Sequence, residues 1–275
     1  MKPNLRGFLV ATLVVAFAGC GSGQSGSQAQ RQQDPSLERV RKAGVLLWGA
    51  DVVGGIPYAF EDPQHPGTYI GFEVDVAKGV ARELGVELKM VVRAWDTLIP
   101  ELQRGTFDMA MNGIEDTPER GAIVDFSIPY FVYSQQLTVR KDAKGIQKLA
   151  DLNGKKVATL SGSAAEDILR STPGIKVVTS PEIIYSYKDL EIRRVDAVLL
   201  DTPIAAAYGA SNPKLKNVGE SFGEGRYVVA FRKEDRELRK AVNTALESLK
   251  RAGTLKAIYK KWGILDVHQQ KIGVL

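Results

Sequence analysis

The segment Thr106–Arg120, TFDMAMNGIEDTPER, indicates a short strand that turns directly into a helix. FDMAM alternates bulky apolar side chains with small or polar ones, as a strand does, and the Asn-Gly pair is typical of a turn. Thr117 and Pro118 then provide an N-cap and a favoured first helical residue. Free N–H groups and the Arg120 guanidinium therefore meet at one corner, which suits a carboxylate. A solvated arginine on a capped helix is the alternative, and this stretch leaves both open.

The amino-terminal residues 1–19 resemble the signal peptide of a bacterial lipoprotein. A positively charged start precedes the apolar run Phe8–Ala18, whose 11 residues are too few to span a bilayer. The run ends at Cys20, the only cysteine. The resemblance implies that Cys20 is lipidated and that the protein is exported and anchored to a bacterial membrane, facing the periplasm or the cell exterior. Phe17 stands where Leu is usual, and an ordinary export signal with a chance cysteine is the alternative.

The composition of the rest of the chain limits its domain count and its possible functions. Residues 20–36, rich in Gly, Ser and Gln, predict a flexible tether, and about 240 residues remain for one large or two ordinary domains. The formal net charge is +5, but opposite charges are interspersed, which gives no support to nucleic-acid binding. A single cysteine permits no intrachain disulfide. With only two histidines besides it, we expect neither a metal nor a cofactor.

The first half of the chain alternates strands and helices, as in a mostly parallel sheet with helices on its faces. Val45–Trp48 predicts the first strand, and the Gly- and Pro-rich loop after it carries Asp51 and Tyr58. Loops at strand ends are where α/β proteins place ligand contacts. Trp95, just before a predicted helix, is a third candidate contact. Core packing of Tyr58, and Trp95 pinning a helix to the sheet, are the alternatives.

The second half repeats this design. The strand KKVATL runs through a Ser-Gly-Ser turn ending at Ser163 into a helix that starts at Ala164. The strand VDAVLL is followed by Asp201–Pro203, which repeats Asp116–Pro118 at a helix start. Two α/β lobes that carry similar strand-to-helix turns predict a ligand cleft between them. Asp201, at the carboxyl end of a strand, could bind an ammonium group, or it could be an additional helix cap.

An ordered set of motifs from about residue 38 to residue 263 resembles bacterial extracellular solute-binding proteins of family 3, the polar amino-acid type that serves ABC transporters. The motifs are GFEVDVAKGVARELG, WDTLIPELQRGTFDMAMNGIEDTPER, VDFSIPYF, DLNGKKVATLSGSAAEDIL, VDAVLLDTP and GTLKAIYKKWG. The resemblance implies the type II periplasmic-binding-protein fold, with two crossing segments at 134–140 and 224–231 and a ligand cleft. The implied parts are lobe 1 at 37–133, lobe 2 at 134–225, a return to lobe 1 at 226–265, and a carboxyl-terminal tail at 266–275.

The resemblance also implies roles for single residues. The arginine of the T-P-E-R motif pairs with the ligand α-carboxylate in this family, and the aspartate after VDAVLL takes the α-amino group. These positions correspond to Arg120 and Asp201 in this sequence. Backbone and hydroxyl contacts to the same carboxylate correspond to four further positions, Gly113, Glu115, Ser163 and Ala164.

Two positions depart from the family pattern. Glu115 stands where many members have Ser or Thr, and Ala164 stands where a second hydroxyl is common. A carboxylate at position 115 repels an anion unless it pairs with Arg120 or with a cation on the ligand. Together with Asp51 and Asp201, it favours a cationic or neutral ligand over an acidic one. Glu115 turned outward, or merely orienting Arg120, is the alternative.

Three functional hypotheses follow. The preferred one is a monomeric substrate-binding lipoprotein without catalytic activity, which closes on a polar amino acid and delivers it to an ABC permease and ATPase complex. The second is a cyclohexadienyl-dehydratase-like enzyme on the same fold, with Glu115 as general acid or base. The third is a sensory module for a membrane receptor, which requires a separate partner because the sequence predicts no transmembrane helix after the signal.

Overall fold

The computed structural model describes residues 34–53 and 55–275. The predicted signal peptide, the lipidation site Cys20 and most of the predicted tether lie outside the described residues. The strands in chain order are β1 (Val45–Ala50), β2 (Phe60–Glu61), β3 (Tyr69–Ile70), β4 (Glu87–Val92), β5 (Met109–Ala110), β6 (Asp125–Phe126), β7 (Phe131–Arg140), β8 (Lys156–Leu160), β9 (Lys176–Ser180), β10 (Ala197–Asp201), β11 (Leu215–Tyr227) and β12 (Ala230–Phe231).

The described residues form nine α-helices. They are α1 (Ser36–Ala43), α2 (Phe72–Leu84), α3 (Leu98–Gln103), α4 (Pro118–Ile123), α5 (Ala164–Ser171), α6 (Ile183–Glu191), α7 (Thr202–Ile204), α8 (Arg236–Arg251) and α9 (Thr254–Lys261). Short 3₁₀ turns lie at Trp95–Thr97, Leu149–Leu152 and Val267–Ile272, and a π-helical turn, Ala205–Ala210, extends α7. Gly85 ends α2 in the left-handed conformation (φ 73°), the position where a helix end favours glycine.

Two five-stranded sheets organise the described residues into two lobes. The first sheet has the order β4-β1-β5-β12-β6, with β1 parallel to β4 and β5 and with β12 antiparallel to its neighbours. The second has the order β11-β7-β10-β8-β9, with β8 parallel to β9 and β10 and with β7 antiparallel to β10 and β11. The predicted α/β fold with two lobes is confirmed.

The chain passes twice between the sheets. It leaves the first sheet after β6 and enters the second at β7, and it returns between β11 and β12. Ile128 and Tyr130 still hydrogen-bond α8 and α2 of the first lobe, so the first crossing runs along the start of β7, between Tyr130 and Gln135. It overlaps only the beginning of the predicted segment 134–140. The reason is strand pairing, because β7 is already in register with β10 from Gln135, opposite Asp201. Extended character alone does not distinguish a crossing segment from a strand.

Apolar side chains of the first lobe pack between its sheet and the helices α2 and α8. Trp48 on β1 and Phe72 on α2 are fully buried. An added Cβ at Gly79 of α2 would lie 2.9 Å from the Leu249 side chain of α8, so the glycine sets the close approach of these helices. This packing fixes the loop after β1, which borders the cleft.

Both ends of the described chain are attached to the body. Ser36, in the predicted tether, is buried, and its Oγ accepts a hydrogen bond from the backbone nitrogen of Leu238 at 3.0 Å. Asp34 accepts one from Glu237 at 2.6 Å. They cap α8, whose own N-cap Asp235 makes no side-chain cap. In the segment 266–275, Gln269 is buried and hydrogen-bonds both the backbone nitrogen and the carbonyl of Val132.

Candidate functional site

The corner between β5 and α4 forms as its sequence predicts. Thr117 has an extended backbone, and its Oγ1 accepts a hydrogen bond from the backbone nitrogen of Arg120 at 3.3 Å. Pro118 is the first helical residue, so the predicted cap is confirmed. Gly113, at φ +63°, makes the turn before it, a conformation that other residues adopt only with strain. The corner places Glu115 and Arg120 side by side.

The Arg120 guanidinium lies at the boundary between the lobes. Its Nη1 pairs with the Glu115 carboxylate and also donates to the Glu115 carbonyl at 3.0 Å. Its Nη2 donates to the carbonyl of Gly162, in the second lobe, at 2.9 Å. The guanidinium carbon lies 5.1 Å from the centre of the Trp95 ring, within cation–π range. With 14% of its side chain exposed, Arg120 is not a solvated surface residue.

The amino end of α5 faces this corner from the second lobe. The Ser163 hydroxyl caps its own helix, because it accepts from the backbone nitrogen of Glu166 at 3.3 Å and donates to the Leu160 carbonyl at 2.8 Å. The backbone nitrogen of Ala164 instead donates across the cleft to Glu115 Oε1 at 3.1 Å. Glu115 therefore points inward, between Arg120 and the positive end of a helix.

Asp201 ends β10 with its side chain directed into the space between the lobes. It does not cap the following helix. Its carboxylate accepts from Gln135 Nε2 at 2.7 Å and from the Tyr227 hydroxyl. The Tyr227 hydroxyl in turn lies 2.7 Å from that of Tyr58. Burial, reinforced by the negative charge of Glu115, raises the pKa of Asp201 to about 8.

Asp51 lines the same space. Its Oδ1 accepts from the backbone nitrogen of Val53 at 2.8 Å, and the residue is 7% exposed. Burial raises the pKa of Asp51, and the like charge of Glu182 raises it further. Asp51 stands on the first lobe, whereas Glu182 lies next to Ile183, the first residue of α6 in the second lobe.

A buried carboxyl supports the loop at Gly113 from behind. Glu73 on α2 is fully buried, and its Oε1 accepts from the backbone nitrogen of Gly113 at 2.8 Å and from the Tyr130 hydroxyl at 2.5 Å. Burial raises the pKa of Glu73 to about 7. Since the N–H group of Gly113 is used inside the lobe, any backbone contact from Gly113 to a solute has to come from its carbonyl.

These elements enclose one cavity between the lobes. Seven of the nine sequence-predicted contacts line it, namely Asp51, Tyr58, Trp95, Gly113, Glu115, Ser163 and Asp201. Arg120 and Ala164 reach it only through Glu115, which contacts both. Trp95 also fixes the cavity wall, because its Nε1 donates to the Asn112 carbonyl at 2.9 Å.

Sequence reasoning missed several wall residues and the two partners of Asp201. The missed wall residues are Val53, Gly55, Asn112, Leu160, Ile183, Leu200 and Ile204. Gln135 and Tyr227 lie in extended segments whose pattern does not indicate a ligand site. The signal that the sequence offers is a polar or hydroxyl-bearing side chain at a buried strand position, since such groups need partners.

A family model, bacterial extracellular solute-binding proteins, family 3, matches residues 52–264 of this chain. The chain belongs to this family. This solute-binding protein is 35% identical over 234 residues to the L-cystine-binding protein TcyJ of Escherichia coli (strain K12), and the alignment covers 84% of this chain and 87% of that protein. It is 30% identical over 268 residues to the arginine-binding extracellular protein ArtP of Bacillus subtilis (strain 168), and that alignment covers 95% of this chain and 98% of that protein.

The fold of this solute-binding protein is similar to that of a solved amino acid-binding protein. The ancestral amino acid-binding protein AncCDT-1, described as a precursor of cyclohexadienyl dehydratase, superposes with a TM-score of 0.77. It is 36% identical, and the superposition covers 82% of this chain and 99% of that protein. Within residues 34–53 and 55–275, no cluster of three or more His, Cys, Asp or Glu side chains is arranged for a metal ion. No helix in that part of the chain has the length and apolar character needed to cross a membrane.

Proposed function

We propose that this protein captures a cationic amino acid between its lobes and delivers it to an ABC permease and ATPase complex. The observation that carries the proposal is the charge of the cavity wall. Asp51, Glu115 and Asp201 all line it. Glu115 has its counter-charge in Arg120. Among the residues that the structure describes, Asp51 and Asp201 form no ion pair with a basic side chain, so both are available to a positively charged group of a solute.

The two unpaired carboxylates match the two cationic groups of a basic amino acid. We expect Asp201 to bind the α-ammonium group, whose positive charge favours the ionised form of the buried carboxyl. We expect Asp51, whose carboxyl feels the like charge of Glu182 in the second lobe, to bind a guanidinium or ammonium group at the end of the solute side chain. The side-chain carboxylate of an acidic amino acid would add a further buried negative charge beside Asp51 and Glu115, which is unfavourable. The similarity to an arginine-binding protein supports this substrate class. The similarity to a cystine-binding protein makes a neutral amino acid the alternative substrate.

Lobe closure provides the physical basis of capture. Closing the lobes excludes water, which strengthens each charged contact. The proposed lobes are residues 37–133 with 226–265 and residues 134–225. The closed form presents a surface composed of both lobes, and we propose that the permease recognises this surface. A monomer anchored through lipidated Cys20 is part of the same proposal.

A calorimetric screen of free amino acids and small organic acids tests the substrate class. We expect arginine, lysine or ornithine to bind, and glutamate and aspartate to bind at least about a hundredfold more weakly, since an unpaired buried charge costs several kcal/mol. Arg120→Ala removes the guanidinium contact with Gly162 that crosses the cleft. Because a hydrogen bond from a charged group is worth about 1.5–3 kcal/mol, binding is expected to weaken by about tenfold or more. Preferential binding of glutamate, or no heat from any of these solutes, contradicts the proposal.

We also propose that the protein is not a catalyst. The candidate acid of the dehydratase hypothesis, Glu115, has both carboxylate oxygens engaged, one by Arg120 and one by the Ala164 N–H group. A general acid or base has to reach the proton that it transfers. Incubation with prephenate or arogenate, followed by ultraviolet absorbance, is expected to show no conversion above background.

A further inference from the structure

Glu115 makes contacts that a bound carboxylate would make. One oxygen pairs with Arg120 Nη1, and the other accepts from the backbone nitrogen of Ala164 at 3.1 Å. A guanidinium and the first N–H group of an eight-residue helix are together a strong anion site. The side chain is 3% exposed, so water screens these contacts very little. The protein thus places one of its own carboxylates in an anion site at the lobe boundary.

The same side chain joins the two lobes. Glu115 and Arg120 belong to the first lobe, and Ala164 and Gly162 belong to the second. The hydrogen bond from Ala164 to Glu115 and the one from Arg120 to the Gly162 carbonyl at 2.9 Å both cross the cleft. Glu115 also holds Arg120 in the orientation that reaches Gly162, because Nη1 is fixed by both the carboxylate and the carbonyl of Glu115.

The guanidinium has little capacity left for a second carboxylate. Both hydrogens of Nη1 point to Glu115 oxygens, and one hydrogen of Nη2 points to Gly162. A two-point grip on a solute carboxylate through Nη1 and Nη2 therefore requires Glu115 to leave. Two carboxylates at this point would repel each other strongly, because the site is buried.

We propose that Glu115 is an internal competitor for the solute carboxylate, which sets the selectivity of the site and holds the lobes together. This inference rests on the proposed function for its ligand, a cationic amino acid. Its consequence is specific. The wild-type site gains little from the α-carboxylate of a solute, because binding that group means displacing one that is already bound. It therefore accepts cationic amines without a carboxylate nearly as well as the amino acid.

The ligand test compares arginine with agmatine, which differs only by lacking the carboxylate. For wild-type protein we expect the two dissociation constants to agree within about tenfold. In Glu115→Gln, which keeps the size of the side chain and removes its charge, arginine is expected to bind about tenfold or more tightly than to wild type, while agmatine does not gain. The ratio of the two constants is the decisive quantity. Glu119 is an exposed carboxylate in α4, the helix that follows Glu115, and Glu119→Gln is the matched control, which is expected to leave the ratio unchanged.

The lobe test needs no ligand. We expect small-angle scattering of ligand-free Glu115→Gln to give a larger radius of gyration than wild type or Glu119→Gln, since a contact across the cleft is weakened. Glu115→Thr removes the contact entirely and replaces Glu115→Gln if the latter does not fold. An unchanged ratio of dissociation constants together with an unchanged radius of gyration overturns the inference. If wild-type protein binds neither arginine nor agmatine, the proposed function fails, and the scattering comparison still decides whether Glu115 joins the lobes.

Discussion

Binding of a cationic amino acid is expected to release a proton from Asp201. The carboxyl of Asp201 is buried between Gln135 and Tyr227, and its pKa is about 8. At pH 7 about nine in ten unliganded molecules therefore carry this proton. An ammonium group paired with Asp201 favours the ionised form, so about 0.9 proton leaves on binding.

The sign and size of the pH dependence follow from the same pKa. Because only the ionised form pairs with an ammonium group, the apparent dissociation constant rises as pH falls below 8. Between pH 8 and pH 6 the competent fraction drops from about one half to about one in a hundred, so affinity is expected to fall roughly 50-fold. Asp201→Asn is expected to bind weakly and to lose this pH dependence.

Calorimetry in two buffers of different ionisation enthalpy measures the released protons directly. At pH 7 the observed enthalpy is expected to vary with buffer enthalpy with a slope close to one proton for wild-type protein and close to zero for Asp201→Asn. Equal affinities at pH 6 and pH 8, with no proton release, would refute the assignment of the ammonium group to Asp201. Proton release that persists in Asp201→Asn would assign it to another carboxyl, for which Asp51 is the candidate.

Two further predictions concern the groups behind the cavity. Glu73 has a folded-state pKa of about 7 against an ordinary value of 4.5, so its contribution to stability is present below pH 4.5 and is lost as pH rises through 7. In urea unfolding, the free energy of unfolding of wild type is expected to fall by about 2.5 kcal/mol more than that of Glu73→Gln between pH 5 and pH 8. Parallel pH curves for the two proteins would show that Glu73 does not titrate in this range. Tyr227→Phe removes the hydroxyl between Asp201 and Tyr58 and is expected to lower the free energy of unfolding by about 1–3 kcal/mol, whereas an unchanged midpoint in urea would show that the buried network does not depend on that hydroxyl.

The sequence by itself determined the local geometry of the site. Thr117 and Pro118 specify the start of α4 because capping depends on residues two or three positions apart. Asp201 at the end of a strand follows from the repeated strand–Asp–Thr–Pro pattern, and the alternation of strands and helices predicts two α/β lobes. Each of these features depends on interactions within one element or between adjacent elements.

Only the tertiary structure decided which of these groups meet. The sequence left Glu115 free to turn outward, and its contact with Ala164, 49 residues away, exists because two lobes face each other. The Tyr58 and Tyr227 hydroxyls are 169 residues apart in sequence and meet because the chain returns to the first lobe. The support of Gly113 by Glu73 likewise requires α2 to pack behind the loop. Hydrophobic patterning specifies which face of an element is buried, but the partner across the interface depends on how separate elements pack.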